Sequence, residues 1–269
     1  MGPPRTLPRM TTSLITGATA GLGAAFARRL AADGHGLVLV ARDAVRLAER
    51  AEELRGRYGV DVEVLQADLA ADGGIAAVEE RLRSPVLPPV DVLVNNAGFG
   101  QSGRFPDAPM ADELRMLTLH CEAVLRLTAA AAEGMRERGR GFVVNVASVA
   151  AFMPRGTYAA SKAWVVRFTE GAALDLRGSG IRFLALCPGF VRTEFHERAG
   201  MDASRLPRFA WLDADAVVSA ALRDLARGRV VSVPDARYKA AVALARHVPS
   251  RLFGAASTKA GRRYDPKRG

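Results

Sequence analysis

Tyr158 and Lys162 stand four residues apart in the run Tyr158-Ala159-Ala160-Ser161-Lys162. On a helix that spacing is one turn, so both side chains leave the same face. An ammonium beside a phenol favours the phenolate and draws a tyrosine pKa down from its ordinary value of about 10. A phenol tuned in this way can give a proton to an alkoxide, or take one from an alcohol. The same pair also occurs as a plain solvated contact, so its meaning depends on the elements that place it.

Those elements alternate. A β-rich run at 12–15 ends in a turn holding Gly17, Gly21 and Gly23, and Leu22, Phe26 and Leu30 then recur at helical spacing over 22–32. Glycines between a strand and its helix permit a tight turn and let backbone approach a pyrophosphate, whose charge the helix N-terminus favours. The continuous apolar run at 37–40 reads as a strand buried on both faces of a parallel sheet. A charged helix ends at Tyr58; an alternating strand at 62–65, a helix at about 74–83 and a buried strand at 90–94 follow. One long helix is expected over about 111–138, then a strand at 142–146 and the helix of the Tyr/Lys pair at 158–177. A strand at 182–187, a helix at 214–227 and a last strand at 230–233 complete the series.

This rhythm predicts the α/β class: one Rossmann-type domain over 11–235, with a doubly wound parallel sheet and helices on both faces. Ligands of such sheets bind beyond the carboxyl ends of the strands, where both chemical motifs fall. The second strand ends Val40-Ala41-Arg42. An NAD site places a carboxylate here for the ribose hydroxyls, whereas arginine suits the extra phosphate of NADP. Alanine in the acidic position followed by Arg42 therefore predicts NADP(H), with Asp43 capping the next helix.

Three segments occur in order: Thr16-Gly17-Ala18-Thr19-Ala20-Gly21-Leu22-Gly23, Asn95-Asn96-Ala97-Gly98 and Tyr158-Ala159-Ala160-Ser161-Lys162. Together they resemble the short-chain dehydrogenase/reductase family, over a likeness running from about Thr12 to about Val233. The resemblance implies an oxidoreductase moving a hydride between NADP(H) and a carbonyl or alcohol, the substrate being a hydrophobic ketone, aldehyde or 3-oxoacyl compound. It assigns Gly17, Thr19, Gly21, Leu22 and Gly23 to the cofactor turn, and Asp68 and Leu69 to the border of the adenine. Asn95, Ala97 and Gly98 would pass under the adenosine ribose and steady the central sheet. Pro188-Gly189-Phe190-Val191-Arg192-Thr193 matches the segment that holds the nicotinamide amide, through Val191 and Thr193. Ser148 would bond the substrate oxygen, Tyr158 exchange the proton, and Lys162 orient the nicotinamide ribose and lower the phenol pKa.

Two departures from the family pattern stand out. Ser148 precedes Tyr158 by ten positions, about three fewer than is common in the family, which should reshape the substrate entrance. The family's asparagine on the preceding long helix, thought to hold a proton-relaying water, is replaced in register by His120. Histidine can bond water and titrates near neutral pH, so a modified relay is one reading of His120; a structural histidine in a helix interface is the other. Its presence is also the one feature favouring a non-catalytic NADP(H)-binding regulator or scaffold.

The net charge is +10, with 38 lysines and arginines against 28 acidic residues. Arg46, Arg50, Arg55 and Arg57 alternate with Glu49, Glu52 and Glu53, as on a solvated helix face with local ion pairs. No aromatic-basic stacking pattern or DNA-binding motif accompanies them, so nucleic acid is not an expected partner. Cys121 and Cys187 lack metal-ligand spacing; no metal is expected, and reduced thiols suit a cytoplasmic protein. No apolar run reaches transmembrane length. Residues 1–10 read as a disordered leader whose Met1-Gly2 start fits the myristoylation pattern only formally.

A substrate lid is expected over about 195–211, mixing Phe195, Met201, Phe209 and Trp211 with Arg198 and Arg205. Over 236–269 the chain reads as a basic amphipathic helix, with Tyr238, Val242, Ala245 and Val248 at near-helical spacing, followed by a disordered tail. Such a helix packs on its own domain more often than on a membrane. A homodimer or homotetramer through the two long helices is the family's habit.

Overall fold

The computed structural model describes residues 11–100, 107–154, 156–194 and 207–247. The leader at 1–10, residues 195–206 of the lid expected over 195–211, and the tail beyond 247 lie outside the described residues.

Seven strands form one sheet: β1 (Thr12–Thr16), β2 (Gly36–Ala41), β3 (Val62–Gln66), β4 (Val90–Asn95), β5 (Gly141–Val146), β6 (Ile181–Leu186) and β7 (Val231–Ser232). Their order is β3-β2-β1-β4-β5-β6-β7, and every neighbouring pair is parallel. The order reverses between β1 and β4, which opens a crevice above their carboxyl ends. Helices α1 (Gly21–Ala32), α2 (Ala44–Tyr58) and α7 (Ala214–Ala226) cover one face. Helices α3 (Asp72–Arg83), α5 (Ala123–Glu137) and α6 (Gly156–Asp175) cover the other. Alternation in β1 shows the logic, with Ile15 in the first core and Leu14 in the second. α8 (Ala236–His247) packs Val242 with Val165, Val166 and Cys187 at the carboxyl edge of the sheet.

The strand and helix pattern expected from periodicity is the one observed, with one break. The single helix expected over 111–138 is α4 (Met110–Leu117), a π-helical turn (Thr118–Glu122) and then α5. The Ala123 N–H donates to the Thr118 carbonyl across that turn, so one residue is inserted into the helical ladder. π-bulges concentrate at functional sites, and His120 is in the middle of this one. The arginine-rich exterior of α2 is ion-paired as expected, Arg50 with Glu53 and Arg55 with Glu52.

Candidate active site

The glycine turn is built by contacts that exclude side chains. Gly17 has φ 66° and Gly21 φ 55°, left-handed values that favour glycine. A methyl group on Gly23 would lie 2.2 Å from the Gly17 carbonyl oxygen, and one on Gly17 would lie 2.8 Å from Nδ2 of Asn96. Thr16 and Asn96 hold the turn against β4. The Thr16 hydroxyl oxygen accepts the N–H of Asn96 and of Ala97, each at 2.9 Å, while Asn96 Nδ2 donates to the Thr16 carbonyl at 2.8 Å. Sequence reasoning gave neither side chain this role. The doubled asparagine of the Asn95-Asn96-Ala97-Gly98 motif was the available signal.

Asn95 is committed below the cleft. Its Nδ2 donates to Thr128 at 3.1 Å and to Asn145 at 2.9 Å, and Asn145 passes the chain on to Thr169 at 3.0 Å. This polar network ties β4, β5, α5 and α6 together through Asn95 and Asn145. The Leu69 side chain is buried in the second core. Asp68 accepts from Arg115 at 3.0 Å. Arg42 stands exposed at the tip of β2, and no ion pair engages it among the described residues. Asp43 caps α2, its carboxylate accepting the Arg46 N–H at 3.1 Å. Across the cleft, Thr193 approaches Gly21 so closely that a methyl on the glycine would sit 3.1 Å from its Cγ2. The glycine turn and the 188–193 segment thus face each other.

The chemical end converges from three elements. A short 3₁₀ turn (Val149–Phe152) takes up the abbreviated loop; the Ser148 hydroxyl oxygen caps it by accepting the Ala150 N–H at 3.1 Å. Ser148 also hydrogen-bonds the Tyr158 hydroxyl, so the shorter spacing still brings the two together. Lys162 is buried and its Nζ donates to the Val146 carbonyl at 3.0 Å, 5.9 Å from the Tyr158 ring centre.

Electrostatics here depart from expectation. Burial pushes the Tyr158 phenol up to about 12, the Ser148 hydrogen bond opposing it. Burial also lowers Lys162 to about 8. Desolvation of the half-buried phenol and of the buried amine penalises both charged forms, and this outweighs the expected lowering of the phenol by the nearby ammonium.

His120 is 1 % exposed and brings its ring edge to Tyr158, centroids 5.7 Å apart. Its pKa lies well below the ordinary value, first through burial and then through repulsion from Lys162. It therefore stays neutral near pH 7 and does not titrate there, correcting the expectation from its type. Ser161 fixes its tautomer. The Ser161 hydroxyl donates to the Tyr158 carbonyl at 2.8 Å, so its oxygen accepts from Nδ1–H of His120 at 3.0 Å. Nε2 is left bare, buried and without a hydrogen-bond partner among the described residues. It faces Gly98, where a methyl group would lie 3.0 Å from Nε2 and 3.6 Å from Lys162 Nζ. Cys121 is half-buried and Cys187 buried, neither of them in a disulfide, and the described residues contain no cluster able to hold a metal.

Comparison with known proteins adds the following. The family model for short chain dehydrogenase matches residues 11–203. A Streptomyces violaceoruber protein, named as a candidate ketoacyl reductase of the granaticin polyketide synthase, is 41% identical over 197 residues, covering 69% of this chain and 70% of its own. A solved short-chain dehydrogenase from Sphingobium yanoikuyae in complex with NADPH is 40% identical with a TM-score of 0.80, covering 94% of each chain. A bulky-bulky ketone specific alcohol dehydrogenase from Comamonas testosteroni is 35% identical with a TM-score of 0.77, again covering 94% of each chain.

Proposed function

The chain belongs to the short-chain dehydrogenase family, and from that premise we propose that it is an NADP(H)-dependent carbonyl reductase whose resting site is set for reduction. The observation carrying this reading is the meeting of Ser148, Tyr158 and Lys162 beside a cleft whose glycines leave no room for side chains. The residues present fit the cofactor. Gly17, Thr19, Gly21, Leu22 and Gly23 form the pyrophosphate cradle at the start of α1. Arg42 would take the 2′-phosphate, Asp68 and Leu69 would border the adenine, and Asn95, Ala97 and Gly98 would lie on the ribose side. Pro188, Gly189, Val191 and Thr193 would hold the nicotinamide side.

When bound, NADPH supplies the hydride. The chain supplies the rest. Ser148 bonds the substrate oxygen, and Tyr158, protonated because burial disfavours its anion, donates the proton that neutralises the developing alkoxide. Lys162 presents its ammonium beneath the phenol. His120 replaces the family's asparagine as a neutral acceptor, its bare Nε2 holding a proton path open beside Lys162. Phe99, Phe152 and Met153 near this end favour an apolar carbonyl compound, and the names of the relatives point to ketones and 3-oxoacyl thioesters.

A homodimer or homotetramer is the assembly we propose; the groove between α5 and α6, about 290 Å³, is lined by Ala129, Ala132, Gly171 and Ala172, small residues that would let a second copy's helices approach closely. None of the described helices is long and apolar enough to cross a membrane; a cytoplasmic site of action accords with two cysteines that form no disulfide. The deciding experiment follows NADPH absorbance with aldehydes, ketones and 3-oxoacyl thioesters. Oxidation with any of them supports the reductase. Tight NADPH binding with no turnover on any would favour the non-catalytic regulator instead.

A further inference from the structure

Tyr238 carries α8 to the edge of the cofactor cleft, and nothing above uses it. Its ring lies flat against Gly189, where a methyl group would sit 2.2 Å from Cζ and 2.3 Å from Cε2. Its Oη accepts the N–H of Phe190 at 3.2 Å and donates to the Ala210 carbonyl at 2.8 Å. One phenol thus joins the 188–193 segment to the 3₁₀ turn at Arg208–Ala210.

The two stretches it joins are also stitched to each other. The Leu212 N–H donates to the Phe190 carbonyl at 2.7 Å, the Arg192 N–H to the Leu212 carbonyl at 3.1 Å, and Val191 bridges Leu212 in parallel. Tyr238 itself is anchored by its neighbours. Asp235 accepts the Tyr238 N–H at 3.3 Å and Nη2 of Arg237 at 2.9 Å, and Arg237 Nη1 bonds the Phe209 carbonyl. Burial raises the Tyr238 pKa, which keeps the hydroxyl neutral and able to donate and accept at once.

We propose that Tyr238 is a positioning residue for the nicotinamide half of the cofactor, holding Gly189-Phe190-Val191 in place from the C-terminal helix. The inference rests on the cofactor reading given above. The hydrogen bonds of Tyr238 among the described residues go to Asp235, Phe190 and Ala210, not to the glycine turn or Arg42, which would hold the adenosine half.

Two ligands separate the halves. Adenosine 2′,5′-bisphosphate carries only the adenosine side, whereas NADPH spans both. Tyr238→Phe keeps the ring on Gly189 and removes both hydrogen bonds, so NADPH affinity should fall about tenfold while the bisphosphate binds as in the wild type. Equal loss for both ligands, or loss for neither, would overturn the proposal. A second test uses the ring contact. Gly189→Ala should weaken NADPH binding strongly, and adding Tyr238→Ala should restore part of it by removing the clash; simple additivity of the two losses would also overturn it. Failure of the wild type to bind NADPH would instead sink the cofactor reading, and shows before any variant is made.

Discussion

The two ends of the cleft are built on different physics. At the cofactor end, positions are fixed by the volume a side chain would need: Gly23 lies so close to the Gly17 carbonyl that a single methyl would collide with it. At the chemical end, Tyr158 and Lys162 are placed by ordinary helical geometry and His120 by the π-turn, and their properties come from burial. Steric demands act residue by residue and leave their mark in residue type. Desolvation is a collective property of everything packed around a group, and no single residue announces it. The difference teaches that a motif can locate a titratable group long before it reveals the group's charge state.

Breaking the chemical end should have the largest effect. Tyr158→Phe removes the proton donor and should lower kcat for carbonyl reduction by roughly 10²–10⁴-fold, with NADPH affinity unchanged by fluorescence titration. A smaller effect is expected at the outer cofactor end. Arg42→Ala loses charge-assisted bonds to the 2′-phosphate, worth about 1.5–3 kcal/mol, so NADPH should bind roughly tenfold to a hundredfold more weakly while NADH does not change. Comparing the two cofactors in one calorimetric series checks it.

Gly23→Ala tests the steric half of the comparison. The new methyl must displace backbone at 2.2 Å, an overpacking cost of about 1–3 kcal/mol. Thermal unfolding should shift down and NADPH affinity should drop together. His120→Ala should have the smallest effect, lowering turnover several-fold while NADPH affinity holds. Because His120 is neutral, the wild-type rate profile should show no inflection from it near pH 6.5. Unchanged turnover across pH would leave His120 a packing residue only.

Much of this was legible in the chain itself. The seven strands, the glycine turn, the Asp43 cap and the Tyr158/Lys162 face follow from periodicity and local sterics. The π-turn at Thr118–Glu122 does not, since inserting one residue barely disturbs an apolar stripe over so long a segment. The tautomer of His120 depended on Ser161, a partner 41 residues away whose hydroxyl is committed elsewhere. Tyr238 read as one member of an amphipathic stripe, because its contacts with Gly189 and Ala210 join segments distant in sequence. The expected lowering of the phenol failed for the same reason: the tyrosine and lysine were visible, but the desolvation imposed by what packs around them was not.

The central claim is that burial, rather than the neighbouring ammonium, sets the proton affinity of Tyr158 before any cofactor binds. A tyrosinate difference titration of the cofactor-free wild type against Tyr158→Phe measures it directly. A raised pKa of about 12 means the proton is retained as pH rises, so the two proteins should give superimposable curves up to about pH 10, near the ordinary tyrosine pKa. A tyrosinate step present only in the wild type at or below pH 9 would show Lys162 prevailing over burial and contradict the account.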